Sequence, residues 1–387
     1  MVHVASLMRT VRMTACAAAV LMAAGAPAST PPPDAPDTPG VAELGRARFL
    51  MGTVLTIRIP DPPRGADEAI ERAFDRVGEL ETAMTTWRAD GELYRLNVRL
   101  ARGEAAERPV PVGVDLGRAL AVSLDWAART GGLFDPALAP LLDAVAAARP
   151  GLRPAETGDV DRRATALRAA SVHLERRPDG GLAVRAPRGL RFDLGGIGKG
   201  IALDEAARIL RRHGVQRAVL DFGGQVLVLD AQAAGPPLPV AIADPRDRSR
   251  PAVVVAVAAG SVATSGNAER GEAAAGALRG HIVDPRTGTP VASRASFTVL
   301  APSATAADAL ATALAAGGPA AGPLVERAGG AWLVLEPADD GELRCLASAA
   351  LVPSITALVP DASNGARTTR DAFCSPGPAP GQGVDER

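Results

Sequence analysis

Two hydrophobic periods alternate along this chain, and each switch between them marks an element. Residues 49–59, FLMGTVLTIRI, alternate apolar and polar positions and predict a first strand. From 67 to 84 the apolar residues Ala69, Ile70, Ala73, Phe74, Val77, Leu80 and Met84 recur at helical spacing. Residues 117–130 predict a second amphipathic helix closed by Gly131-Gly132, followed by a loop, LFDPALAPL. Short strands are predicted at 172–174, 182–184 and 190–194, then a helix over 199–213 that Gly214 stops. VLDFGGQVLVL at 219–229 predicts a strand pair broken by Gly223-Gly224. Further strands are predicted at 239–243, 253–258, 296–301, 331–335 and 341–345, with an alanine-rich helix over 304–316. Strands and helices interleave irregularly, and many strands pair by hairpin. That favours an α+β fold, with mixed, largely antiparallel sheets and packed helices, over a doubly wound sheet.

The two ends read differently from the middle. His3, Arg9 and Arg12 precede an apolar run at 14–24 and a small-x-small site, Ala26-Pro27-Ala28. This is the pattern of a cleaved export signal and predicts a periplasmic or otherwise exported mature protein cut near Ala28. The run is too short to span a bilayer. The plan is therefore a signal peptide at 1–28, a proline-rich linker at 29–45, one folded domain at 46–358 and a disordered tail at 359–387. Cys345 and Cys374 remain after cleavage. They could pair in an oxidising compartment, but the polar setting of Cys374 favours two free thiols.

Composition removes some function classes. The chain of 387 residues is 47% hydrophobic, enough for a sizeable core, and its formal charge is −1. With no basic field and 3% aromatic residues, nucleic acid is not an expected partner. Cysteine and histidine are too few for a zinc site of the usual kind.

Candidate chemistry centres on RFDLGGIGKGIALD at 191–204, which predicts a strand, a glycine turn and a helix. It holds Lys199, the only lysine in a chain whose other basic side chains are arginines. A compact ammonium at the mouth of a helix suits a phosphate-bearing ligand, although chance retention in a glycine turn is the plainer reading. Three familiar motifs fail. Gly200 follows the lysine where a Walker A loop needs Ser or Thr. Gly196, Gly198 and Gly200 have the wrong spacing for a dinucleotide fingerprint. Thr264-Ser265-Gly266 lacks the first glycine of a nucleophile elbow. Asp308 and Thr312 lie one helical turn apart and can share one hard cation such as magnesium; alternatively Asp308 only complements the helix dipole. His281 precedes the turn DPRTG, where it reads either as an ordinary exposed histidine or as a catalytic group on a strand-end loop.

Taken in order, these segments resemble the ApbE family, the FAD:protein FMN transferases. The resemblance runs from Met51 to about Leu335. It is carried by MGTVLTI, MTTWRADGELYRLN, GGLFDPALAPLLD, DLGGIGKGIALD, DFGGQV, SVATSGNAER, HIVDPRTGTPV and ADALATAL. It implies an ApbE-like, T-fold-like domain that binds FAD as substrate with Mg2+, moves FMN to a threonine or serine hydroxyl of a partner protein, and releases AMP. By position, Asp308, Thr312, Gly196 and Ala311 match metal ligands, the last two through backbone carbonyls. Met51, Trp87, Leu133, Phe134, Asp135, Asp193, Lys199 and Val283 match FAD-contacting positions, and His281 matches the general base. The implied acceptors are flavin-carrying subunits of Rnf-type or sodium-pumping NADH:quinone reductase complexes, or another exported reductase. Departures from the family pattern are Asp221 for Asn, Gln225 for Asp, Ala268 for an aromatic residue and Ala137 for Thr. Two other readings stand beside this one: a metal-dependent FAD pyrophosphatase giving FMN and AMP, and a flavin-binding protein without chemistry.

Overall fold

A computed structural model describes residues 43–147, 168–230, 235–266, 273–274, 277–278, 282–338, 340–358 and 374–376. The predicted signal peptide, most of the linker and most of the tail lie outside the described residues.

The described residues open with two strands where one was predicted. β1 (Glu43–Leu50) and β2 (Thr53–Pro60) form a hairpin in register from Glu43↔Pro60 to Leu50↔Thr53. Met51 (φ 48) and Gly52 (φ 78) are both left-handed, as a two-residue hairpin turn requires, so the alternating run folds back on itself at Met51. β1 also begins inside the predicted linker.

The 67–84 pattern is realised as α1 (Ala66–Met84), which buries every apolar position named above. α2 (Glu92–Arg102) was not predicted; it buries only Leu93, Leu96 and Leu100 at i, i+3, i+7 amid charged residues. A one-turn helix, α3 (Glu104–Glu107), leads into β3 (Val110–Val112), α4 (Val114–Arg129) and α5 (Ala139–Ala147). β4 (His173–Arg176) and β5 (Leu182–Arg185) join β3 in a small sheet.

The predicted strand at 190–194 is not one. Its backbone groups go to a side chain instead: Asn97 Nδ2 donates to Phe192 O and Phe192 N donates to Asn97 Oδ1, both at 2.8 Å. The amide thus stands in for a neighbouring strand, and Asp193 N donates to Pro136 O at 2.8 Å. The helix α6 (Gly198–Arg212) follows.

β6 (Arg217–Phe222) and β7 (Gln225–Asp230) form the predicted hairpin across Gly223 (φ 61) and Gly224 (φ 90). Then come β8 (Leu238–Ala243), β9 (Pro251–Val257), β10 (Gly260–Gly266), and the two-residue strands β11 (Ala273–Ala274) and β12 (Ala277–Leu278). β13 (Ser296–Ala301), α7 (Ala304–Gly317), α8 (Gly322–Arg327), β14 (Ala331–Pro337), β15 (Leu343–Ala347), β16 (Ile355–Leu358) and β17 (Cys374–Pro376) complete the order.

Nine strands share one sheet in the order β1-β2-β6-β7-β10-β13-β14-β15-β17, antiparallel except for the last pair. Its two faces bury different cores, because successive strand residues point to opposite sides. Leu227, Leu229, Ala263, Phe297 and Val299 share a core with α1, α6 and α7. Val226, Val228, Val262, Leu333 and Leu335 pack against the sheet β16-β9-β8. The α+β, largely antiparallel architecture is as predicted.

The expectation of free thiols is overturned. Cys345 and Cys374 form a disulfide, both are buried, and they are register partners across β15 and β17. Polarity of the surrounding tail was the wrong guide: three residues of the tail return to the sheet edge, and the covalent bond removes the chain entropy that would otherwise keep so short a strand away.

Candidate active site

Two helix starts face each other. Gly200, in the first turn of α6, lies against the first turn of α7: a Cβ there would sit 2.4 Å from Ala304 O and 2.7 Å from Thr305 Cα. Only glycine permits this approach. It brings the predicted residues of both segments together. Asp308, 5% exposed, accepts from Gly200 N through Oδ2 at 3.0 Å, and Lys199 Nζ stands 3.8 Å from its Oδ1. Thr312 Oγ1 donates to Gly196 O at 3.3 Å. A carboxylate, a hydroxyl and a carbonyl oxygen, with an ammonium beside them, thus gather at one place. The donor set is hard oxygen, which suits magnesium and not a soft metal. Ala311 is fully buried on α7 beside Thr312.

A residue given no role from the sequence holds α7 in place. Asp204, the last residue of DLGGIGKGIALD, accepts Ala304 N and Thr305 N at 2.9 Å each and Thr305 Oγ1 at 2.6 Å. Ser303 Oγ accepts Ala306 N at 3.2 Å and Ser303 O accepts Ala307 N. The N–H groups of Ala304, Thr305, Ala306 and Ala307 are thereby satisfied. Its signal in the sequence was the aspartate closing the motif, five residues after Lys199. Asn97 had a comparable signal as the last residue of MTTWRADGELYRLN. Gln225, one of the departures, is buried and donates to Ala304 O at 2.8 Å, while its Oε1 has no partner among the described residues.

The LFDP loop forms the next wall. Gly131 (φ 57) and Gly132 (φ 80) end α4, and Thr130 Oγ1 accepts Phe134 N. Leu133, Phe134 and Asp135 are all buried. The Phe134 ring edge approaches Gly196: a Cβ there would meet Phe134 Cε2 at 3.4 Å and Thr312 Oγ1 at 2.9 Å. Asp135 accepts Ala137 N at 2.7 Å and Ala169 N at 3.1 Å, and burial raises its pKa against those hydrogen bonds and the Arg168 charge. Asp193 is half-buried and accepts Gly195 N at 2.7 Å, closing the glycine turn.

Val283 is buried and bridges Pro290 across the DPRTG turn. Beside it, burial would raise the Asp284 pKa, but the hydrogen bonds and charge of Arg286 carry it below the ordinary value. Met51 is half-buried in the β1–β2 turn, and Trp87 is 64% exposed between α1 and α2; neither makes a described contact with the Asp308 cluster. Trp87 stands three residues beyond Met84, whose Cε lies 3.9 Å from where a Gly198 Cβ would be. His281 and Ala268 lie outside the described residues. Asp221 accepts Gly224 N at 2.9 Å in its hairpin, and burial raises its pKa.

The ApbE family model matches residues 51–331. Over 295 residues the chain is 33% identical to a Treponema pallidum (strain Nichols) protein named FAD:protein FMN transferase, covering 70% of this chain and 78% of that one. A Rhodobacter capsulatus protein of the same name is 31% identical over 334 residues; the match covers 85% of this chain and 60% of the relative, less than two thirds of its length. Among solved structures, the apo form of Pseudomonas stutzeri flavinyl transferase ApbE superimposes with a TM-score of 0.67 at 24% identity, covering 82% of this chain and 98% of that one. Vibrio cholerae flavin transferase ApbE gives 0.65 at 25% identity, covering 81% and 99%.

Proposed function

This chain belongs to the ApbE family, and on that footing we propose that it transfers the FMN half of FAD to a threonine or serine hydroxyl of a partner protein. The observation that carries this reading is the gathering of Asp308, Thr312 and Gly196 oxygens beside the Lys199 ammonium at the meeting of two helix starts. A dinucleotide diphosphate needs that combination of hard oxygen donors for a cation and one fixed positive charge.

Asp308, Thr312 and Gly196 are the residues that would hold Mg2+, with Ala311 as a further carbonyl. The metal supplies charge neutralisation on the diphosphate. Lys199 adds a point charge to the same group, which an arginine's rigid fork would do with a different geometry. Leu133, Phe134, Asp135, Asp193 and Val283 bind and orient the rest of FAD, with Met51 and Trp87 as further FAD-contacting positions. His281 takes the proton of the acceptor hydroxyl. The hydroxyl oxygen bonds to the FMN phosphorus, the bond from that phosphorus to the AMP oxygen breaks, and AMP leaves with the electron pair.

The acceptor belongs outside the cytoplasm in this reading. The export-signal pattern supports that, and so does the Cys345–Cys374 disulfide, since such bonds persist in oxidising compartments. A flavin-carrying subunit of an Rnf-type or sodium-pumping NADH:quinone reductase, or another exported reductase, is the class of partner.

The test is to incubate the protein with FAD, Mg2+ and an acceptor domain, then record intact mass and AMP. An FMN-sized gain on the acceptor with matching AMP supports transfer. AMP and free FMN with no gain on any acceptor indicates hydrolysis instead, and intact bound FAD indicates a carrier. His281→Ala should keep FAD binding and lose transfer by about 10²–10⁴-fold, as removal of a general base does; unchanged transfer removes His281 from that role.

A further inference from the structure

Arg168 belongs to none of the motif blocks, yet it sits between two of them. Its successor, Ala169, is tied by its backbone N–H to both Asp135 oxygens, at 3.2 and 3.1 Å. The Arg168 guanidinium is attracted by Asp135 of the LFDP loop and by Asp284 of the DPRTG turn. Neither carboxylate accepts a hydrogen bond from its Nη1. Asp135 is occupied by Ala137 N and Ala169 N. Asp284 is occupied by Arg286, which donates from Nε at 3.1 Å, from Nη2 at 2.9 Å and from its backbone N at 2.9 Å. Arg168 Nη1 is left buried with no hydrogen-bond partner among the described residues.

A buried guanidinium N–H without an acceptor is costly, and native folds keep few such groups without a use. The place suggests the use. Phe134 precedes Asp135 and turns its ring towards Gly196 and Thr312, so the LFDP loop runs from the Asp308 cluster to Arg168. Val283 precedes Asp284, the second carboxylate near Arg168. Leu133, Phe134, Asp135 and Val283 are FAD-contacting positions of the proposed site, so Arg168 stands against the lining of that site. The charges of Arg168 and Arg286 are already matched by those of Asp135 and Asp284, so the donor left over suits an uncharged acceptor.

We propose that Arg168 is a substrate-binding residue whose Nη1 donates to a carbonyl oxygen or ring nitrogen on one of the two ring systems of FAD. This rests on the transferase reading of the same site. Both rings carry such acceptors, and separate half-molecules tell them apart.

The experiment is titration of FAD, and of FMN and ADP in competition with it, into the full chain and into Arg168→Met and Arg168→Lys. Arg168→Met should weaken FAD by about tenfold to a hundredfold, the effect of losing one hydrogen bond to a charged donor. The loss should reappear with only one of FMN and ADP and so identify the ring. Arg168→Lys keeps a cation between the carboxylates without the planar fork, and should bind FAD between the wild type and Arg168→Met. An FAD affinity within about twofold of wild type overturns the proposal. Equal weakening of FMN and ADP also overturns it, because a merely structural arginine would loosen both halves alike. If Arg168→Met does not fold, the same titrations of Arg168→Lys decide: weakening confined to one half supports the proposal, and unchanged or equally weakened halves overturn it. A wild-type protein that binds no FAD overturns the transferase reading instead, and the wild-type titration shows that separately.

Discussion

Removing the Asp204 carboxylate should loosen α7, the helix that carries Asp308 and Thr312. Asp204 accepts three hydrogen bonds, from Ala304 N, Thr305 N and Thr305 Oγ1. In Asp204→Ala the two backbone donors lose a charged acceptor at a helix start, worth about 2 kcal/mol at the upper end of measured caps. The Thr305 hydroxyl adds about 1 kcal/mol. Water can reach part of the vacated space, since Asp204 is only half-buried, so the full desolvation penalty does not apply. The expected loss is therefore about 3 kcal/mol, or roughly 6 °C in Tm for a domain of this size. Asp204→Asn keeps one acceptor oxygen and should lose about half as much. The assay is urea unfolding followed by circular dichroism, with the three proteins compared at a common slope. A loss below about 0.5 kcal/mol in Asp204→Ala, the range of ordinary surface substitutions, would refute the capping argument. So would an Asn variant as damaged as the Ala variant, because the effect would then owe nothing to the acceptor oxygens.

Three further outcomes concern other parts of the fold. Asp308→Asn should raise the Mg2+ concentration for half-maximal AMP release by at least about tenfold, and an unaltered titration removes Asp308 from the metal site. Cys374→Ser opens a bond spanning 29 residues and should cost about 3–4 kcal/mol by loop-closure entropy, read as a lower urea midpoint that a reductant no longer shifts; a midpoint equal to wild type would show that β17 adds nothing. Asp115 is hydrogen-bonded by Arg76 at 2.7 and 2.5 Å, which joins α4 to α1 and lowers its pKa below the ordinary 3.8. Because the folded value is the lower one, the stabilisation is present above pH 3.8 and is lost as pH falls through the folded pKa. Asp115→Asn should lose about 1 kcal/mol at pH 7, discounted for solvent screening, and the gap to wild type should close in acid. A gap that is constant with pH contradicts the pairing.

Local pattern was enough wherever an element's own period decides its form. α1 declares itself by seven apolar positions on one face, and the β6–β7 hairpin by two glycines between alternating runs. α7 is legible because alanine has the highest helix propensity and Gly317-Gly318 closes the run. The motif blocks likewise point to Lys199, Asp308, Thr312 and Gly196 as candidates for one site, since the order of several blocks carries more information than any one of them.

What the sequence could not decide depends on partners far along the chain. Residues 190–194 have the alternation of a strand, but the amide of Asn97 takes both backbone groups of Phe192, 95 positions away. Cys374 looks like part of a polar tail until β15 supplies the edge on which it pairs. Asp204 reads as one more polar helix residue until the start of α7, 100 positions later, presents its unsatisfied N–H groups. Arg168 belongs to no motif, and only the meeting of the LFDP and DPRTG loops leaves its Nη1 buried near two carboxylates. Hydrophobic period is a property of neighbours in sequence, so the chain alone determines strongly periodic helices such as α1, the glycine-broken β6–β7 hairpin and the order of motifs. Hydrogen-bond satisfaction is a property of neighbours in space, so only the tertiary fold decides which polar groups are supports, which are ligands and which still lack a partner.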